Sequence, residues 1–266
     1  MNTLHNEKTD WLPGKSWIAF IFATLAILWF AHAVAFFPHE YAHAFTAWIL
    51  GWKSNPLALN YGNADLANVL IQIQMDENVN YAPIFSSGHG HQAGFIALAG
   101  LLIGNLIITY PLSLWSFYYG KRRNRKYLLY FSYWLCVASV GNLIDYVPVR
   151  TFGKSGDMYT LAKGFNISPW GICSTLGVLF ILILLHFLIL FAPEALQIIS
   201  PQSAARRVVT AILTSGALFG FYGAVGLLQD SETSHIISKV SIFLLIPVSL
   251  ALGVWLTERK RKSQLS

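Results

Sequence analysis

The sequence predicts an all-α integral membrane protein with about six transmembrane helices and a small β-hairpin inserted after the first helix. Of its 266 residues, 55% are hydrophobic and only 11% are charged, against about a quarter charged in soluble domains. Six apolar runs have the length of about 20 residues that crosses a bilayer as a helix. No repeat or linker divides the chain, so we treat residues 1–266 as one polytopic domain.

The apolar runs set the expected spans. The first, Trp17–Phe37, continues as a helical pattern to Leu50, further than a bilayer requires. Cys136 and Cys173 fall inside spans, so they predict no disulfide. The five remaining predicted spans are Gly94–Tyr118, Tyr127–Pro148, Trp170–Phe191, Val208–Leu228 and Ile236–Leu256.

Basic residues predict the orientation. If both termini are cytoplasmic, 13 of the 18 lysines and arginines lie on the cytoplasmic side. Cytoplasmic loops carry an excess of these residues, so the pattern favours an N-in, C-in topology, in what we expect to be a bacterial cytoplasmic membrane. The charges sit at span ends, so the net charge of +6 predicts no nucleic-acid partner. The 13 residues are Lys8, Lys15, Lys121, Arg122, Arg123, Arg125, Lys126, Arg206, Arg207, Arg259, Lys260, Arg261 and Lys262.

The β-hairpin is predicted within residues 52–93, the longest non-spanning segment. Leu57–Tyr61 and Val69–Met75 have the composition of short strands, and residues 71–74 alternate apolar and polar side chains with a period of two. The turn would lie near Gly62. Such a hairpin could cover a functional site or pair with an extended peptide.

The motif that carries chemistry is His39-Glu40-Tyr41-Ala42-His43, an HExxH sequence within the first apolar run. Residues four apart share one face of a helix, so His39 and His43 can bind one metal ion. Glu40 is then placed to accept a proton from water. A glutamate and two histidines are costly to bury in a membrane helix, which favours a functional role.

A catalytic zinc site needs three protein ligands and one open position. The residues leave two candidates for the third ligand. Asp145 lies at the end of the third predicted span, and Asp157 begins a plausible short helix that reaches Lys163. His89 and His91, in a glycine-rich stretch before the second span, could also approach the metal, although a polar cap at the membrane surface is the simpler interpretation.

Over residues 17–165 the chain resembles the site-2-protease-like intramembrane zinc metallopeptidases. These enzymes carry HExxH in a transmembrane helix, followed by a glycine and a strand-forming segment, and His39–His43 with Gly51 follow this order. Ala97–Asn105 resembles an Ala-Gly-Pro-x-x-Asn element of the second core helix. Asn142, Pro148 and Asp157 resemble, with longer spacing, a later motif that supplies the third ligand.

The resemblance implies an intramembrane endopeptidase that acts on a membrane-embedded or membrane-adjacent protein segment. Zn²⁺ would be bound by His39, His43 and Asp157, with Glu40 and Asn142 catalytic. Glu40 would serve as general base and then acid, and Asn142 would bind the substrate backbone or the developing oxyanion. The helices at residues 170–257 would be additions to this core.

Two other classes of function are open. The same activated water could hydrolyse the amide or ester bond of a membrane lipid. Alternatively the chain could be a transporter or an inactive protease relative that binds membrane proteins. The expected partners are a membrane-protein substrate and the lipid bilayer, and the sequence predicts no oligomeric state.

Overall fold

The computed structural model describes residues 16–263, and this part of the chain is helical with short connections. Three short helices lie in the connections between the long ones: α2 (Leu66–Ile71), α3 (Tyr81–Ser86) and α6 (Gly156–Phe165). The six long helices are α1 (Trp17–Ile49), α4 (Gly90–Arg122), α5 (Lys126–Arg150), α7 (Pro169–Ile199), α8 (Ala204–Leu228) and α9 (Glu232–Lys262).

All six long helices are long and apolar enough to cross a membrane, which confirms the predicted all-helical chain with six helices of spanning length. Helix α5 is at the centre of the bundle: every residue from 132 to 147 is buried. The outer helices expose large apolar side chains, such as Phe22 on α1 and Phe243 on α9. An apolar exterior around a packed centre is what a surrounding bilayer requires.

Helix α1 begins and ends with recognisable caps. The hydroxyl of Ser16 accepts a hydrogen bond from Ala19 N–H at the start. At the end Gly51 has a φ of +80°. The N–H of Trp52 donates to Ala47 O and the N–H of Gly51 donates to Trp48 O, the pair of bonds that closes a helix at a left-handed glycine. Between these caps the helix continues through Pro38, and the whole HExxH motif has regular helical geometry.

The predicted β-hairpin is wrong. Between α1 and α3, the described chain contains a single pair of bridged residues, Asn60 and Asp76, and the short helix α2 where the second strand was expected. Asp65 caps this helix through Asn68 N–H, and the buried Asn68 amide donates to the carbonyls of Tyr61 and Asn63. Side-chain hydrogen bonds to the backbone therefore replace a β-ladder in this segment.

The segment between α1 and α3, residues 50–80, folds back along α1. Trp29 Nε1 donates to Val69 O at 3.1 Å, and His32 Nε2 lies 3.5 Å from Ile71 O. Both α1 residues lie well inside the apolar span. The connecting segment thus runs back beside α1 from the end of this helix as far as its middle.

Two glycines allow the helices around this motif to approach closely. A Cβ at Gly104 of α4 would lie 2.5 Å from Pro38 O and 2.6 Å from His39 Cα, so only a hydrogen fits there. A Cβ at Gly141 of α5 would overlap the ring of Tyr222 from α8. Small residues at such contacts let membrane helices approach closely.

Candidate metal centre

The two motif histidines point the same atom toward one place. Their Nε2 atoms are 3.0 Å apart, and each imidazole is buried. This arrangement follows from the four-residue spacing on α1. Two like-charged groups could not remain this close, so at least one ring must be neutral with a lone pair available for a ligand.

The third group is the carboxylate of Asp157, from the first turn of α6. Its Oδ2 lies 3.3 Å from His39 Nε2 and 3.2 Å from His43 Nε2. Burial alone would raise the pKa of Asp157, but when no ion is bound the positive charge of a protonated His43 and the hydrogen bonds from His39 and His43 outweigh it and hold that pKa well below its usual range. The carboxyl group is therefore anionic, the form that binds a metal.

Asp145 is not part of this cluster. Its Oδ2 pairs instead with Arg150 Nη1 at 3.6 Å. Among the described residues, the one group of three or more His, Cys, Asp or Glu side chains spaced to hold a metal is His39, His43 and Asp157. Of the two aspartates that the sequence left open, the fold thus brings Asp157 to the histidines.

The dimensions of the cluster fit a tetrahedral ion. Zinc binds nitrogen and oxygen at about 2.0–2.1 Å, which separates neighbouring ligand atoms of a tetrahedron by about 3.3 Å. The three separations here are 3.0, 3.2 and 3.3 Å. Three protein ligands leave one corner for water or substrate, the pattern of a catalytic rather than a structural site.

The ring nitrogens on the other side of each imidazole have partners that suit metal binding. His43 Nδ1 donates to Ile96 O at 2.6 Å, so the neutral form of this ring, the one that binds a metal, carries no proton on Nε2. His39 Nδ1 lies 3.0 Å from the Asn105 side-chain amide, whose buried Oδ1 has no partner. A half-turn of that amide, which exchanges its nitrogen and oxygen positions, would let Oδ1 accept Nδ1–H. Both histidines then present a bare Nε2, as metal ligands do.

Gly100 on α4 leaves open the space beside the two Nε2 atoms. A Cβ at this position would lie 2.6 Å from His39 Nε2 and closer still to His43 Nε2. These distances approach metal–ligand lengths, so a side chain here would compete with an ion for the same volume. On another side, the ring of Tyr146 stacks on His39 with centroids 4.7 Å apart and fixes its plane.

The candidate metal centre adjoins a cleft of about 1140 Å³. One wall is residues 71–81, and the other is residues 220–229 at the end of α8. Glu40, Asn142 and Asp157 line it together with apolar side chains. Its apolar members Ile73 and Leu228 are 58% and 73% exposed, so the cleft joins the polar centre to the apolar exterior. Its volume is slightly above the range of about 300–1,000 Å³ that is typical of small-ligand pockets.

The two residues for which the resemblance implies catalytic roles both face this cleft. Glu40 is 5% exposed and belongs to the same turn of α1 as His39. Asn142, also 5% exposed, has a buried Nδ2 without a hydrogen-bond partner. An unpaired donor in a buried site is costly unless a ligand completes it. Asn142 can therefore donate a hydrogen bond to an oxygen of a ligand in the cleft.

His89 and His91 lie elsewhere. Both are exposed at the start of α4, where His89 Nδ1 is 3.1 Å from Ser87 Oγ and His91 contacts the ring of Phe165. They do not belong to the His39–His43–Asp157 cluster. The predicted polar cap describes their surroundings better than the predicted approach to a metal.

Several residues of this region could not be identified from the sequence. Gly100, Tyr146 and the carbonyl of Ile96 reach the histidines only through helix packing. Glu77 and Tyr81 on the cleft wall were also missed, because Glu77 precedes α3 and their spacing predicts a side-chain pair only within a helix. Comparison of the chain with protein-family models, curated proteins and solved structures finds no match, so the chemistry of this centre must be inferred from the residues of this chain.

Proposed function

We propose that this protein is a zinc-dependent intramembrane endopeptidase that hydrolyses a peptide bond in a membrane-embedded or membrane-adjacent protein segment. The observation that carries the proposal is the convergence of His39 Nε2, His43 Nε2 and Asp157 Oδ2 to within 3.0–3.3 Å, beside a cleft lined by Glu40. A carboxylate next to such a ligand set is the arrangement of hydrolytic zinc sites.

The residues divide the reaction between them. His39, His43 and Asp157 would hold the ion. When bound, zinc supplies a Lewis acid and makes water acidic enough to ionise near neutral pH. Glu40 takes the proton from the attacking water and returns it to the amine nitrogen as the peptide bond breaks. Asn142 Nδ2 donates to the substrate carbonyl oxygen as negative charge develops there.

The cleft supports a peptide substrate drawn from the membrane. A peptide bond inside a helix is already hydrogen-bonded and shielded, so it must unwind before water can attack. The amide and carboxylate groups that line the cleft can bond to the freed backbone, while Ile73 and Leu228 accept apolar side chains. The same centre could also serve a hydrolase of lipid amides or esters, so the test must separate the two.

Glu40→Gln is the decisive variant because it removes the base and leaves the proposed ligands unchanged. Wild type and variant should both bind close to one zinc per chain by elemental analysis. Proteolysis should fall by about 10²–10⁴-fold in the variant. In membranes that express only Glu40→Gln, one or more membrane proteins should accumulate uncut by mass spectrometry. Glu194→Gln, at the exposed ion pair with Lys121, is the matched control and should behave as wild type.

Other results contradict the proposal in different ways. An uncut lipid that accumulates in the Glu40→Gln strain, with an unchanged set of membrane proteins, would identify a lipid amide or ester hydrolase. Zinc-free wild-type protein, or a Glu40→Gln variant with every phenotype intact, would exclude both enzymes and favour a transporter or a non-catalytic binding protein.

We further propose an N-in, C-in topology in the cytoplasmic membrane, because the basic loop between α4 and α5 and the basic end of α9 lie at the span ends remote from the HExxH motif. The metal centre then lies in the extracytoplasmic half of the bilayer. A Cys introduced at Lys53 in intact cells should react with an impermeant thiol reagent added outside. Labelling only after the cells are opened would reverse the orientation.

A further inference from the structure

A second polar pair faces the cleft from the connecting segment. The hydroxyl of Tyr81 donates to Glu77 Oε1 at 2.6 Å. Glu77 is 8% exposed, and no Lys or Arg of the described chain lies within ion-pair distance of its carboxylate. The nearby Lys53 instead donates to the carbonyls of Ala58 and Asn78. Burying a carboxylate without a cation is unfavourable, so the pair is not explained by stability.

Tyr81 packs against α1, which carries His43, and against α4, which carries the carbonyl that binds His43 Nδ1. Tyr81 is the first residue of α3, which the Asn80 side chain caps. The ring of Tyr81 packs on a small apolar cluster that includes Ala47 and Ile96. Ala47 is one turn beyond His43 on α1, and Ile96 O accepts the proton of His43 Nδ1. Tyr81 therefore has a defined position on the His43 side of the metal centre.

Tyr81 also remains a hydrogen-bond donor there. Burial raises the pKa of its hydroxyl, and the carboxylates of Glu77 and Asp157 raise it further, so the phenol keeps its proton at neutral pH. Glu77, Tyr81, Glu40, Asn142 and Asp157 all line the one cleft.

We propose that Tyr81 is a further catalytic residue, a hydrogen-bond donor to the substrate carbonyl oxygen that Glu77 holds in place until the substrate binds. The inference rests on the proposed peptidase function. When water adds to the carbonyl carbon, the π electrons of the C=O bond move to oxygen and negative charge grows there. Tyr81 donates to this oxygen from the α3 side and Asn142 from α5. The Tyr81 proton is not transferred, since Glu40 carries the proton of water.

The test is Tyr81→Phe, which removes the hydroxyl and keeps the ring. On a cleavable peptide, kcat should fall about 10²-fold, the lower end of the effect of a lost oxyanion donor, while KM changes by less than about threefold. As a readout other than activity, calorimetric affinity for a peptide hydroxamate, which places oxygens at the reacting positions, should fall about tenfold. Zinc content and thermal midpoint should match wild type.

Tyr61→Phe is the matched control, since Tyr61 lies on the same connecting segment but does not line the cleft, and it should match wild type in both readouts. A Tyr81→Phe enzyme with wild-type kcat and hydroxamate affinity would overturn the inference. So would a variant that loses zinc or unfolds early, because Tyr81 would then act through the fold. In either case the peptidase proposal stands if Glu40→Gln is inactive, and it fails separately if Glu40→Gln still cleaves the peptide.

Discussion

The most direct test of the metal centre is Gly100→Ala, which adds one methyl group where we expect an ion. The new carbon would lie 2.6 Å from His39 Nε2, about 0.8 Å inside the 3.4 Å at which ordinary van der Waals contact begins. It would lie even closer to His43 Nε2. Both rings must therefore move by several tenths of an ångström, whereas a zinc site tolerates only about 0.2 Å in ligand distance.

The fold should withstand this substitution. Gly100 has ordinary helical dihedral angles, and alanine favours a helix over glycine by about 1 kcal/mol. The atoms that would clash are the ends of imidazole side chains and not the backbone of α1, so the rings can shift while the two helices stay packed. Gly104→Ala differs because its Cβ would meet the backbone of α1 at Pro38 and His39. That variant should lower the thermal midpoint, since two helix backbones must separate.

We expect zinc affinity to fall at least about 100-fold in Gly100→Ala, the upper end of the effect of outer-sphere changes, because here the ligands themselves move. The assay is zinc content of purified protein in detergent, followed by competition with a chelator of known affinity. Gly253→Ala on α9 is the control, since a Cβ there meets nothing within 4 Å. If Gly100→Ala binds zinc as wild type does, the ion does not lie between these imidazoles and the assignment of the centre is wrong.

Two other variants test the surroundings of the histidines. Asp157→Asn should lose zinc because it replaces the one anionic ligand with a neutral amide. Asp145→Asn should retain zinc because that carboxylate pairs with Arg150. Elemental analysis of both proteins measures this, and the reverse result would make Asp145 the third ligand. Asn105→Ala should weaken zinc binding about 10–100-fold because it removes the partner of His39 Nδ1. Asn105→Asp restores an acceptor oxygen and should recover much of the lost affinity. Equal zinc affinity in wild type, Asn105→Ala and Asn105→Asp would show that this contact does not orient the ring.

The spans and two of the three candidate ligands could be predicted from the sequence because both depend on local pattern. An apolar run of sufficient length crosses a bilayer whatever it packs against. The four-residue spacing of His39 and His43 puts their rings together in any regular helix. The observed spans extend beyond most predicted ends, for example Pro169–Ile199 for the predicted Trp170–Phe191, where the added turns carry Ala195, Leu196 and Ile199 into the core.

The alternation of apolar and polar side chains at residues 71–74 predicted a β-hairpin that the structure does not contain. The residues before them carried a helix signal that the prediction did not use: Asp65 is an N-cap residue type, and its side chain accepts a hydrogen bond from Asn68 N–H, three residues later. The side chain of Asn68 then organises the segment through carbonyls five and seven residues earlier. For this segment, an N-cap residue followed by an apolar stretch was a better guide to secondary structure than four alternating residues.

The rest of the centre depends on contacts between distant parts of the chain. Asp157 meets His39 across 118 positions and the Asn105 amide meets it across 66, while Tyr146 stacks on the same ring from α5. These residues come from α4, α5 and α6, so the orientation of one imidazole is fixed only when four helices have assembled. Because a bound ion would then join α1 to α6 through its ligands, metal affinity and helix packing should be coupled. The HExxH motif alone would bind an ion weakly in a single helix. Its geometry here depends on the glycines of α4 that let that helix lie against α1.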